Sequence, residues 1–206
     1  MIQPLGKEET ETLAAQVTQI KSKSKKPFVY AGFVVEDWNT ELSPWEASPV
    51  FGKIGFGKDA EETLIWIKNE LIPYVHSEFP ESAGKKQIIG GYSLAGLFSL
   101  WSAYVSDLFY GTAGVSPSVW FPGWLDYIQT HKYGASYVYL SLGDTENKTK
   151  NAVMRTVKEN IEMQYSLLRE QLSPENCLLE WNHGGHFNEP EIRTAKGFVH
   201  LLNMMR

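Results

Sequence analysis

Five short apolar, β-rich runs alternate with amphipathic stretches along this chain, and that alternation limits the fold more than any other feature. The runs are Pro27–Val35, Gln87–Tyr92, Phe109–Val115, Ser136–Leu142 and Cys177–Trp181. Helical patterns lie between them. Leu64, Ile67, Leu71 and Val75 mark a helix over 60–77, with Asp59 and Glu62 spaced as a capping box and Pro73 placed to bend it near its end. Further helices are expected over 94–105, 124–131 and 152–171, the last with Val153, Val157, Ile161, Tyr165 and Leu168 on one face. A final helix should start near Glu189, with Asn188 as N-cap and Ile192, Ala195, Val199 and Leu202 as its face. Strands that alternate with helices build βαβ units. The expected architecture is therefore a three-layer α/β/α sandwich around a mostly parallel sheet of about five or six strands. Such sheets bind ligands at the carboxyl ends of their strands, so the informative residues should lie just after each run.

Composition narrows the function classes. With 206 residues, 43% hydrophobic and 21% charged, the chain fits one domain over 1–206, with 1–26 as a helical or loop lead-in. The net charge is −5 and the only basic run, Lys21–Lys26, reads as a solvated loop. Nucleic acid and anionic membranes are poor partners for such a chain. No run approaches the ~18 apolar residues of a membrane span, and no leader pattern is visible, so a cytoplasmic location is expected. The single cysteine, Cys177, excludes an intrachain disulfide and reads as a buried small hydrophobe.

The run Gln87–Tyr92 leads straight into Ser93-Leu-Ala-Gly-Leu-Phe, the start of an apolar helix. Gly91-Tyr-Ser-Leu-Ala95 is thus a G-x-S-x-A sequence at a strand-to-helix turn. A serine there has strained backbone angles, and residues two positions to either side must be tiny, as Gly91 and Ala95 are. The turn would expose the Ser93 hydroxyl above the sheet and set the Leu94 N–H at a helix N-terminus, where an oxyanion would sit.

A hydroxyl needs a base to act as a nucleophile at neutral pH. Of the five histidines, His76 and His131 fall at helix ends and His200 inside the last helix. His183 and His186 lie in Trp181-Asn-His-Gly-Gly-His-Phe187, between the last strand and the last helix. His186 is the candidate base, because the glycines before it allow the loop to fold back over the sheet and Phe187 can anchor its ring. His183 is placed to line the site. No H-E-x-x-H pattern or cysteine cluster is present, so neither metal nor cofactor is called for. The orienting carboxylate should follow the fourth run, which leaves Glu146 and Asp144. Glu146, three residues past Gly143, has the better reach. Asp144 is suited to fixing the turn.

With these residues placed, the chain resembles the putative-esterase family of the α/β-hydrolase superfamily, which includes esterase D and the siderophore esterases. The segments that carry the resemblance are Ile88–Leu97, Gly114–Phe121, Leu140–Glu146, Gly184–Phe187 and Asp37–Trp45, the last with its Ser-Pro-Trp. The resemblance implies a reduced α/β-hydrolase fold and cleavage of small carboxylic esters, with Ser93 as nucleophile, His186 as base and Glu146 as acid. It also implies a second oxyanion donor in the loop after Pro27–Val35, at Val34 or Val35. A sheet reduced at its start would leave an edge that another subunit could cover. Trp120 and Trp38 are candidate pocket residues, with Trp45, Phe121 and Trp124 in similar loops. The same nucleophile would also serve an acyltransferase, and the fold can carry a binding module without catalysis.

Overall fold

The computed structural model describes residues 1–205. Its sheet has six strands, all parallel, in the order β2-β1-β3-β4-β5-β6. They are β1 (Ile2–Leu5), β2 (Ala31–Val34), β3 (Ile88–Tyr92), β4 (Gly111–Val115), β5 (Tyr137–Gly143) and β6 (Cys177–Asn182). The helices are α1 (Glu9–Lys23), α2 (Trp38–Glu41), α3 (Ala60–Trp66), α4 (Ile72–Glu78), α5 (Leu94–Val105), α6 (Trp124–Thr130), α7 (Val157–Gln171) and α8 (Pro190–Met204). This is the expected three-layer sandwich.

Successive side chains of a strand point to opposite faces, and the two cores follow that period. Ile89, Val138, Leu140 and Leu142 pack against α3 to α7, while Ile88, Tyr92, Ala113, Val115 and Tyr139 pack against α1 and α8. The α8 face differs from the expected one. Arg193, Thr194, Gly197, Phe198 and Leu201 are buried, whereas Ile192 and Val199 are only partly so. A Cβ on Gly197 would lie 3.0 Å from both Ala113 and Tyr139, so the helix turns its smallest residue to the sheet.

The lead-in over 1–26, expected as helix or loop, holds the strand β1 ahead of α1. β1 lies inside the sheet although it contains Pro4, a residue that cannot donate to a ladder. The Met1 and Leu5 carbonyls accept from the Ala31 and Val35 N–H groups, so odd-numbered residues face β2 and Pro4 faces β3. On that side the pairing is limited to Ile2 with Ile89. The basic run is partly helical, since Lys21 and Lys23 form the last turn of α1.

Three local expectations are corrected. Asp59 makes no side-chain cap; the Asp59 and Ala60 N–H groups instead donate to the Thr40 and Ser43 carbonyls. The helix over 60–78 passes through a π-helical segment, Ile67–Leu71, where the Ile72 N–H reaches the Ile67 carbonyl. Pro73 has no N–H for the carbonyl four residues back and crowds it, and the widened turn accommodates both effects. Asn188 does not cap α8; Glu189 stands at that position with φ 50°. No helix among the described residues is long and apolar enough to cross a membrane.

Candidate active site

β3 ends at Tyr92 and α5 begins at Leu94, so Ser93 alone makes the turn, with φ 57° and ψ −120°. Strain of this kind costs about 1–3 kcal/mol and persists only where the surroundings enforce it. Here they do. A Cβ on Gly91 would lie 2.6 Å from that of Ala95, and one on Gly96 would lie 2.9 Å from the Gly91 carbonyl oxygen. The Ser93 N–H donates to the Val115 carbonyl, and the Ser93 carbonyl accepts from Ser118 and Leu97.

The loop between β6 and α8 brings His186 to this turn. Its Nε2 lies 3.1 Å from Ser93 Oγ, and its Nδ1 lies 2.8 Å from Glu146 Oε2. A carboxylate only accepts, so the imidazole carries its proton on Nδ1 and offers the Nε2 lone pair to the serine hydroxyl. Gly184, at φ 99°, and the Asn188 carboxamide, which accepts from the Gly185 N–H at 2.7 Å, shape the loop. The ring is backed by buried Tyr92, whose centroid lies 5.2 Å away and whose hydroxyl donates to the His186 carbonyl at 2.5 Å. Phe187 meets the ring edge-on but is 92% exposed, so it does not anchor it as expected.

Glu146 sits just past β5 with a side chain only 4% exposed. Its Oε1 accepts from the Gly143 N–H at 2.7 Å and the Ser116 hydroxyl at 2.7 Å, and faces Arg193 Nη1 at 3.3 Å. Burial pushes this carboxyl up, but hydrogen bonds from His186, Ser116 and Gly143 outweigh it and hold the group below the ordinary glutamate value. Asp144 is elsewhere engaged. It accepts from the Gly184 N–H at 2.8 Å and pairs with exposed His183 at 3.3 Å, which holds it below the usual carboxylate range and ties the β5 loop to the histidine loop.

The remaining histidines are apart from Ser93. His131 stacks on Tyr127, His76 lies beside Gln87, and burial against Tyr139 lowers the pKa of His200. Among the described residues no group of three or more His, Cys, Asp or Glu could hold a metal ion. Cys177 is buried and unpaired.

A cavity of about 210 Å³ adjoins His186, lined by Trp120, Met154, Val157 and Phe187, with Glu146 and Lys148 among its polar groups. Trp120 is thus at the site. Trp38 is not among the lining residues; it packs near Gly6. Trp124 stacks with both Trp45 and Tyr127, and Trp45 tilts against Tyr127 and meets Phe121 edge-on, so these rings serve packing. A larger cavity, about 750 Å³, opens beside Met1, Phe28 and Ile88, and none of Ser93, His186 and Glu146 lines it.

The expected oxyanion donors divide. The Leu94 N–H begins α5 and has no carbonyl of its own helix to meet. The Val35 N–H is spent on the Leu5 carbonyl at 2.9 Å, so Val35 is not a donor. Topology explains the correction. β1, not β2, adjoins β3, and continuing the pairing of Ile2 with Ile89 sets Gly6 level with Ser93. Sequence reasoning missed this loop because it missed β1. It also missed Ser116, Tyr92 and Arg193, though Gly114-Val-Ser-Pro-Ser118 stood out as a motif.

Comparison with known proteins adds the family context. A family model described as Putative esterase matches residues 48–167. The uncharacterised protein YbbA of Bacillus subtilis (strain 168) is 26% identical over 152 residues, which are 69% of this chain and 59% of that protein. The match therefore spans less than two thirds of that relative's length. The siderophore hydrolase EstA from Aspergillus nidulans superposes on 100% of this chain and 83% of its own, with a TM-score of 0.73 and 17% identity. An IroE-like serine hydrolase from Shewanella oneidensis superposes on 98% of this chain and 70% of its own, with a TM-score of 0.75 and 16% identity. At such identities the likeness to the solved structures is one of fold.

Proposed function

The chain belongs to the putative-esterase family, and on that premise we propose that it hydrolyses small carboxylic esters through an acyl-enzyme on Ser93. The observation that carries the reading is the continuous chain from Ser93 Oγ to His186 Nε2 at 3.1 Å and from His186 Nδ1 to Glu146 Oε2 at 2.8 Å.

Ser93 Oγ attacks the ester carbonyl as His186 Nε2 takes its proton. Glu146 holds the imidazole tautomer and stabilises the imidazolium that forms. The Leu94 N–H donates to the oxyanion, and the Lys7 N–H is the second donor. Lys7 is preferred to Gly6 because the Gly6 N–H already donates to Glu9 Oε2 at 2.7 Å. Each donor contributes about 3 kcal/mol to lowering the barrier. The imidazolium returns the proton to the departing alcohol. Water then attacks the acyl-enzyme with His186 again as base, and the acid and free serine are released. The cavity beside His186 suits a small apolar or aromatic group, which can lie against Trp120 and Met154.

A fluorophosphonate probe tests this. Wild type should be labelled, and Ser93→Ala should abolish labelling while leaving the fold intact. His186→Ala should slow it by several orders of magnitude. A folded protein that takes no label would refute the enzymatic reading and favour a binding module.

A further inference from the structure

Arg193 projects from the first turn of α8 into the interior, with its side chain 2% exposed. An arginine is almost never buried without partners that use its fork of donors. Its Nη1 reaches Glu146 Oε1 at 3.3 Å, Tyr92 Oη at 3.3 Å and Ser116 Oγ at 3.5 Å, and its Nη2 donates to the His183 carbonyl at 2.9 Å. The donor directions agree. Tyr92 and Ser116 spend their own protons on the His186 carbonyl and on Glu146, which leaves their oxygens free to accept from the guanidinium. One side chain thus joins the end of β3 next to Ser93, the end of β4, the loop after β5 and the loop that carries His186.

We propose that Arg193 is a positioning residue, whose fork sets the relative places of Glu146 and the His186 loop and whose charge keeps the Glu146–His186 pair free to accept the serine proton. The inference rests on the catalytic reading above. Its electrostatic basis is simple. One proton lies between Glu146 Oε2 and His186 Nδ1, 2.8 Å apart, and the serine hydroxyl must deliver a second to His186 Nε2 at 3.1 Å. A buried cation beside the carboxylate disfavours uptake of an additional proton by that pair. Without the cation, the pair would hold that proton to higher pH and would be unable to receive another from Ser93. The other charged or titratable groups around the pair are Tyr92 on β3, Lys148 at the cavity, and His183 with Asp144 at the surface. The His183–Asp144 pair is exposed, and Lys148 lies on the solvent side. Arg193 is therefore the buried cation of the site.

The test compares the pH dependence of Ser93 labelling by fluorophosphonate in wild type, Arg193→Met and Arg193→Lys. Arg193→Met should raise the midpoint of the acidic limb by about one pH unit or more. Arg193→Lys should be slower, because an ammonium lacks the fork, but should return the midpoint close to that of wild type. Slower labelling at every pH with an unmoved midpoint in Arg193→Met, or an equal shift in Arg193→Lys, would overturn the proposal. A thermal cycle separates this from the parent reading, because it needs no catalysis. Glu146→Gln should recover melting temperature, or folding itself, when added to Arg193→Met, since it removes the unpaired charge. Absence of such coupling would reject the buried pair whatever the probe does. Absence of label on wild type alone would reject the catalytic reading.

Discussion

Gly91→Ala tests how tightly the Ser93 turn is wound. The added methyl would lie 2.6 Å from the Ala95 Cβ, 2.8 Å from its carbonyl carbon and 2.9 Å from its oxygen. Ordinary carbon contact begins near 3.5 Å, so strand β3 and helix α5 must part by about 1 Å. Two of the three atoms belong to backbone, so no rotamer change relieves the contact. Overpacking of this kind costs about 1–3 kcal/mol. For a domain of this size that corresponds to a melting temperature lower by about 2–12 °C. Because Ser93 lies between Gly91 and Ala95, the same displacement falls on the proposed nucleophile. A misplacement of ~1 Å at a reacting group costs about a hundredfold in rate. Calorimetry and the rate of fluorophosphonate labelling measure the two effects on one sample. Adding Ala95→Gly removes the nearest contact and leaves the two backbone ones, so recovery should be partial in both. If Gly91→Ala melts within a degree of wild type and labels at the same rate, the turn is looser than the structure has it, and the argument for a strained serine fails.

Two further outcomes follow from the site. Lys7→Pro, which deletes the proposed second oxyanion donor, should lower kcat by about a hundredfold to a thousandfold, whereas Lys7→Ala keeps the N–H and should lose far less; equal losses would place the function in the side chain. Glu146→Gln should slow ester turnover far more than Asp144→Asn, and it should also flatten the acid dependence of stability. The sign follows from the depressed Glu146 pKa: its contribution is present above the unfolded carboxylate value and is lost as pH falls through the lower folded value, so wild type and variant should converge in strong acid.

How much of this was legible in the sequence depends on where local signals and tertiary context agree. The segment 87–105 was readable because an apolar run, a Gly-x-Ser-x-Ala junction and an apolar helix all ask for the same turn; α5 starts and ends where its pattern does, and β3 falls one residue short of its run. β1 was not readable, because it has four residues and a proline, and its proline is tolerated only through the alternation of parallel hydrogen bonds, which requires knowing the neighbours. That single omission carried into the site. Without β1, the loop after β2 would adjoin the serine and Val35 would stand where topology sets the Gly6–Lys7 loop. Glu146 and His186 were legible as candidates by chain order, since each follows the end of a readable run. Arg193 was not, because helical spacing marks apolar faces, and an arginine inside one reads as an interruption. Its burial depends on a carboxylate 47 residues earlier in the chain. The general consequence is physical: charges that hold a site from behind are specified by pairing in space, so they are visible only once the strands that bring the partners together are in order.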